Sequence, residues 1–377
     1  IVALFVHECV KVKCVLNVVE YMKDVSAMEI VQAMREQWVS MTGMASMFIG
    51  TILIGLFIQP VYNFDEIRAF GESGSTKVKF IFFELLMIFL FTVIIIWMAR
   101  KGLDYLIKGF VMFALGISLF YTIWPVALIL RWLILVITDF DISTTFLDIF
   151  AIVATVGLMT LLYKYPEWYV VNSVGVLVGA GVITLLGVTF TPSLIIIFMI
   201  IAAIYDHWAV NKSKHMLELA DTMINLKLPV LLVAPKERGY SFRDEKEKIM
   251  QEDISSTDNN QNKTEKKSRD ALFMGLGDVI FPGILVISSV TFLPEIGPVV
   301  FDIWGDPSLP IHLGPMLVGL GTLFGGLCGY VALMTQVARG KPQAGLPLLN
   351  GGSILGYIIF GSIAIGFNQL WHNITFL

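Results

Sequence analysis

The chain has 377 residues, of which 56% are hydrophobic and only 15% charged, and its mean hydropathy is +0.78. Soluble globular domains carry about 25% charged residues, so there are too few charges here to cover a water-facing surface, and a soluble enzyme is excluded. A net charge of −4, with no basic stripe carrying interleaved aromatics, gives no sign of a nucleic-acid partner.

A membrane-spanning helix needs about 20 mostly apolar residues. Residues 1–39 are mixed; Met28, Val31, Met34 and Trp38 recur at helical spacing and predict an amphipathic surface helix. Apolar blocks then run 40–64, 80–99 (with Glu84 inside), 109–130 and 145–163 (with Asp148 near its start). Residues 168–205 are 38 uncharged residues, too many for one span; the break falls at Thr191-Pro192 and gives spans 168–190 and 193–210. A polar segment, 211–270, follows. Its part 244–270 reads as a disordered loop, while Leu228-Pro229-Val230-Leu231-Leu232-Val233-Ala234 is apolar but too short to span, and reads as a strand or edge that docks on the bundle. Spans 271–293, 313–338 and 343–371 complete the count. The expected fold is an all-α polytopic bundle of nine transmembrane helices, six plus three. Its parts are 1–39, a six-helix unit 40–210, a cytoplasmic loop 211–270 and a three-helix unit 271–377. The three cysteines make no disulfide framework, and Cys328, inside an apolar block, is expected to be buried.

Lys and Arg in alternate connections set the expected orientation. The set containing 1–39 and 211–270 holds 22 of them and the other set 4. This predicts a multi-pass protein of the cell membrane with the N-terminus and the 211–270 loop cytoplasmic and the C-terminus outside.

Ionisable groups inside spans are costly and usually face a cavity or a partner. Glu84 and Asp148 lie near span ends, where a structural role suffices. Asp206 follows thirteen uncharged residues, Ser193 to Tyr205, and Asp278 ends Phe273-Met274-Gly275-Leu276-Gly277-Asp278. On adjacent antiparallel spans both come toward the cytoplasmic third, which suits a shared-proton acid/base pair. Gly275 and Gly277 remove side chains beside Asp278. Pro282 cannot donate to the Asp278 carbonyl, so the helix is loosened there. The rival reading is a buried acid paired with Lys or His to hold helices together, with His207 as the obvious partner.

The stretch Lys341-Pro342-Gln343-Ala344-Gly345-Leu346-Pro347-Leu348-Leu349-Asn350-Gly351-Gly352 makes a poor regular helix. Unwound, it would offer backbone groups to an extended peptide by strand addition. The plainer reading is an irregular helix start. Gly71-Glu72-Ser73-Gly74 imitates a serine-protease motif but stands in a charged loop without a suitable histidine. Five scattered histidines form no metal set. The glycines from Gly314 to Gly329 are explained by close helix packing, and Asn373-Ile374-Thr375 is a short glycosylation pattern with a high chance rate.

Tyr205-Asp206, Gly275-Leu276-Gly277-Asp278 and Gly345-Leu346-Pro347 together resemble the presenilin and signal-peptide-peptidase family of intramembrane aspartyl proteases, especially its archaeal members. The resemblance covers about 40 to 371. It implies that Asp206 and Asp278 are the catalytic dyad and that Leu346 and its neighbours shape the active site. Tyr205, Gly275, Leu276, Gly277, Gly345 and Pro347 are the further residues it carries over. Where the family writes Pro-Ala-Leu-Pro, this chain has Ala344-Gly345-Leu346-Pro347. The implied activity is that of an aspartic endopeptidase acting on transmembrane-helix substrates in the lipid bilayer, with no metal and no organic cofactor. Accessory subunits are not evident, and a homo-oligomer is one assembly compatible with the reading. Rival readings are a proton-coupled secondary transporter, in which paired membrane acids carry protons, a non-enzymatic scaffold, and a prepilin-type peptidase.

Overall fold

In the computed structural model the residues described are 37–63, 101–208, 231–236, 271–301, 311–337 and 344–371, together with isolated positions 32, 34, 35, 86, 90, 94, 97 and 98. Among the described residues eight α-helices can be given in full, in order: α1 (Trp38–Tyr62), α2 (Asp104–Thr138), α3 (Thr144–Lys164), α4 (Trp168–Gly187), α5 (Pro192–Trp208), α6 (Leu276–Phe292), α7 (Leu313–Val337) and α8 (Leu346–Ala364). A 3-10 turn, Phe367–Trp371, follows α8. Strands β1 (Leu231–Pro235) and β2 (Ala271–Gly275) form one antiparallel pair, and β3 (Val299–Phe301) and β4 (Ile311–His312) a second.

Six of these helices are long and apolar enough to cross a membrane; α5 and α6, at 17 residues each, are shorter. The expected span 80–99, with Glu84, lies outside the described residues apart from positions 86, 90, 94, 97 and 98, as do 1–31, most of 211–270, Gly71 to Gly74 and Asn373 to Thr375. Several boundaries differ from the sequence reading, that of 343–371 among them, since its helix runs only from Leu346 to Ala364. The 109–130 span is part of a 35-residue helix that continues to Thr138, because Leu133 to Thr138 is apolar. Arg131 is therefore helical, and it pairs with Asp141 at 2.7 Å just past the left-handed C-cap Asp139. The 271–293 span opens as a strand and turns helical only at Leu276, and the 168–190 span ends at Gly187. The expected break at Thr191-Pro192 is where α5 starts.

Helices α4 and α6 stand at the centre. Ile183 of α4 fills the space over Gly55 of α1 and Gly283 of α6, where an added Cβ would come within 2.7 and 2.8 Å of it. With no hydrophobic drive between helices in lipid, small residues and polar cross-links hold such bundles together. Thr122 of α2 donates to the Leu177 carbonyl at 2.7 Å, Thr184 of α4 to that of Gly55 at 3.2 Å, and Tyr330 of α7 to that of Met41 at 2.8 Å. Helix α3 is peripheral, with Ile149, Ile152, Val153 and Val156 all exposed. Asp148, which it carries, accepts a hydrogen bond from the Trp124 indole at 2.9 Å, a structural role.

Cys328 is exposed, against expectation. It shares the outer face of α7 with Phe324 and Val331, while Gly325 and Gly329 point inward. A helix whose outside meets lipid is apolar on every face, so hydropathy does not separate inner from outer positions.

Candidate active site

Asp206 lies in the last turn of α5 and Asp278 in the first turn of α6. A third element joins them. Helix α8 begins at Leu346 with Pro347 in its first turn, where the missing N–H would have been unpaired anyway. The Leu346 N–H is one of the donors that a helix start leaves without an intrahelical partner, and it donates to Asp206 Oδ2 at 3.1 Å. Gly345, one residue earlier, faces the other acid: a Cβ added there would stand 2.9 Å from Asp278 Oδ2 and 3.2 Å from its Cγ. The two carboxylates thus come to adjacent residues, Leu346 and Gly345, from two different helices. Asp206 is 3% exposed. His207, the next residue along α5, is exposed.

The other sequence-selected residues divide. Gly275 caps α6 in an extended conformation, with an added Cβ 3.5 Å from Asp278 Oδ2, an ordinary contact. Gly277 is exposed and an added Cβ there would meet nothing within 4 Å, so its neighbourhood is open space beside Asp278. Leu276 is buried away from the acids, against Gly179 of α4. Tyr205 is 57% exposed and its ring lies 6.3 Å from that of Trp208. The stretch expected to be unwound is helical from Leu346 onward, so the irregular-helix-start reading holds, and strand addition on 343–350 is corrected. Pro282 is buried inside an α6 that runs through it without a break.

Two features escaped the sequence reading. Asn350, one turn beyond Leu346, donates from Nδ2 to the Met199 carbonyl at 3.0 Å and binds α8 to α5 a second time. Asn172 of α4 holds the main chain of Val233 through both its amide atoms. An asparagine within an apolar span was the available signal for each. Among the described residues no three His, Cys, Asp or Glu side chains gather as metal ligands would.

The crowding at Gly345 gives a test. Gly345→Val should lower any activity of the acids at least about tenfold, by displacing the Asp278 carboxylate, while unfolding stability shifts by less than about 1 kcal/mol. Equal activity in reporter hydrolysis would remove Gly345 from the site.

A family model described as signal-peptide peptidase, presenilin aspartyl protease matches residues 44–367. Two solved structures, each described as a presenilin family intramembrane aspartate protease, are similar to the chain at 26% identity. One, in a C222 crystal form, has a TM-score of 0.54 and matches over 86% of this chain and 99% of its own. The other, in a P2 form, has a TM-score of 0.52, with 85% and 97% covered. No curated protein matches.

Proposed function

We propose that this chain, which belongs to the signal-peptide peptidase and presenilin aspartyl protease family, hydrolyses peptide bonds within the transmembrane helices of other membrane proteins, with Asp206 and Asp278 as its paired acid and base. The observation that carries the reading is the approach of the two carboxylates to adjacent residues, Asp206 to Leu346 and Asp278 to Gly345.

Two like charges held this close do not both ionise, so the pair keeps one proton. The ionised carboxylate takes a proton from water as its oxygen attacks the scissile carbonyl carbon. The protonated one gives its proton to the carbonyl oxygen, which yields a tetrahedral diol. The pair then gives its proton to the amide nitrogen and takes one from a diol hydroxyl as the C–N bond breaks, which releases the amine and the carboxylic acid and leaves the pair with a single proton again. Gly277 leaves room for an unwound substrate backbone beside Asp278. The excess of Lys and Arg in 1–39 and 211–270 supports a cytoplasmic side for those segments and an outer side for the C-terminus.

The transporter reading has no support in the family match or the similar structures. Hydrolysis of a transmembrane-helix reporter by the purified, detergent-solubilised chain, blocked by a hydroxyl-bearing transition-state isostere, is the expected result. Absence of both hydrolysis and isostere binding would overturn the proposal.

A further inference from the structure

An antiparallel strand presents the N–H and C=O of one residue to the same side. In β1 the outward pair belongs to Val233, and one side chain takes both: Asn172 Nδ2 donates to Val233 O at 2.7 Å, and Val233 N–H donates to Asn172 Oδ1 at 2.8 Å. A primary amide carries the same donor and acceptor as a peptide unit, so Asn172 makes the bonds that a third strand would make. Val233 has no exposed surface and Asn172 is 7% exposed, so no water competes for these groups. Ser40 of α1 fixes the next outward carbonyl, donating to Pro235 O at 2.6 Å. The side of β1 away from β2 is therefore occupied at Val233 and at Pro235.

The consequence runs along the sheet. β1 pairs with β2 from Leu231–Gly275 to Pro235–Ala271 without a shift in register. Leu232, Ala234, Leu272 and Met274 form the face packed into the bundle. β2 ends on Gly275, which is also the cap of α6, and Asp278 lies three residues on. No loop separates the strand from the acid, so a slip of β1 along α4 carries β2 and the Asp278 carboxylate with it.

We propose that Asn172 is a positioning residue: a built-in substitute for a third strand, which closes the β1 edge at Val233 to incoming backbone and, through β2, holds Asp278 at the depth of Asp206. The proposal rests on the protease reading for its functional half and on main-chain bonding alone for its structural half.

The test uses the full chain in detergent, unmodified and as Asn172→Leu, which keeps the shape without the hydrogen bonds. Asn172→Asp, which keeps only the acceptor, carries the test should the Leu variant not fold. Hydrogen exchange of 231–235 and 271–275 is read beside kcat, KM and the product ends of a transmembrane-helix reporter. In the Leu variant both segments should exchange at least about tenfold faster. The kcat should fall at least about tenfold with KM nearly constant, and cleavage should spread to neighbouring bonds; the Asp variant should fall between. Unchanged exchange in both variants would overturn the clasp whatever the activity. Faster exchange with unchanged kcat and product ends would overturn the positioning role. An unmodified chain that fails to hydrolyse the reporter, with the exchange change present, would sink the protease reading and leave the clasp standing.

Discussion

Asp206→Asn and Asp278→Asn should each cut reporter hydrolysis at least about 1,000-fold while the protein stays folded. A positioned acid or base contributes about 10²–10⁴ in rate, and the two acids act as a unit, so either loss removes nearly the whole effect. Asparagine is chosen because its shape is that of the acid. At position 206 its carbonyl oxygen can still accept from the Leu346 N–H, so the α5–α8 contact survives. At position 278 it still fits the gap opposite Gly345. What is lost in each case is the ability to take or give a proton. Appreciable hydrolysis by either variant, with matched thermal unfolding, would end the dyad assignment.

Asp206 and Asp278 stand out in the sequence because charge inside an apolar span is costly enough to be conspicuous. The strand at 231–235 could be read from an apolar run too short to span. Its pairing with 271–275 could not, because Ala271 to Gly275 is continuous in hydropathy with the helix after it. The same flatness hid the end of α2 and misled the placement of Cys328, since a lipid-facing residue looks like a core residue. Asn172 and Asn350 were visible as polar residues in spans, but both bond to main-chain atoms, Val233 and Met199, and a sequence does not encode which carbonyl passes nearby. Gly345 was noticed as part of a motif; the reason for it, the Asp278 carboxylate opposite, is a tertiary fact.

The packing of α7 on α8 carries the second large effect. A Cβ added at Gly325 would collide with the Gly352 carbonyl oxygen and lie 2.8 Å from the Gly356 Cα. Both obstacles are backbone, and Gly356 is equally blocked from the other side by Gly321 and Gly325. No side chain can rotate away, so the helices must separate. Gly325→Leu should therefore destabilise the protein by about 3 kcal/mol or more, at the upper end of ordinary overpacking. It should also take activity with it, because α8 carries Gly345 and Leu346 to the two acids. Gly351 lies in the same helix as Gly352 and Gly356, but an added Cβ there meets nothing within 4 Å. Gly351→Ala should leave packing intact and stabilise α8 by about 0.5–1 kcal/mol through helix propensity. Thermal unfolding of the two variants in one detergent separates the effects. A Gly325→Leu protein that unfolds with the unmodified chain would mean that α7 and α8 do not pack backbone to backbone.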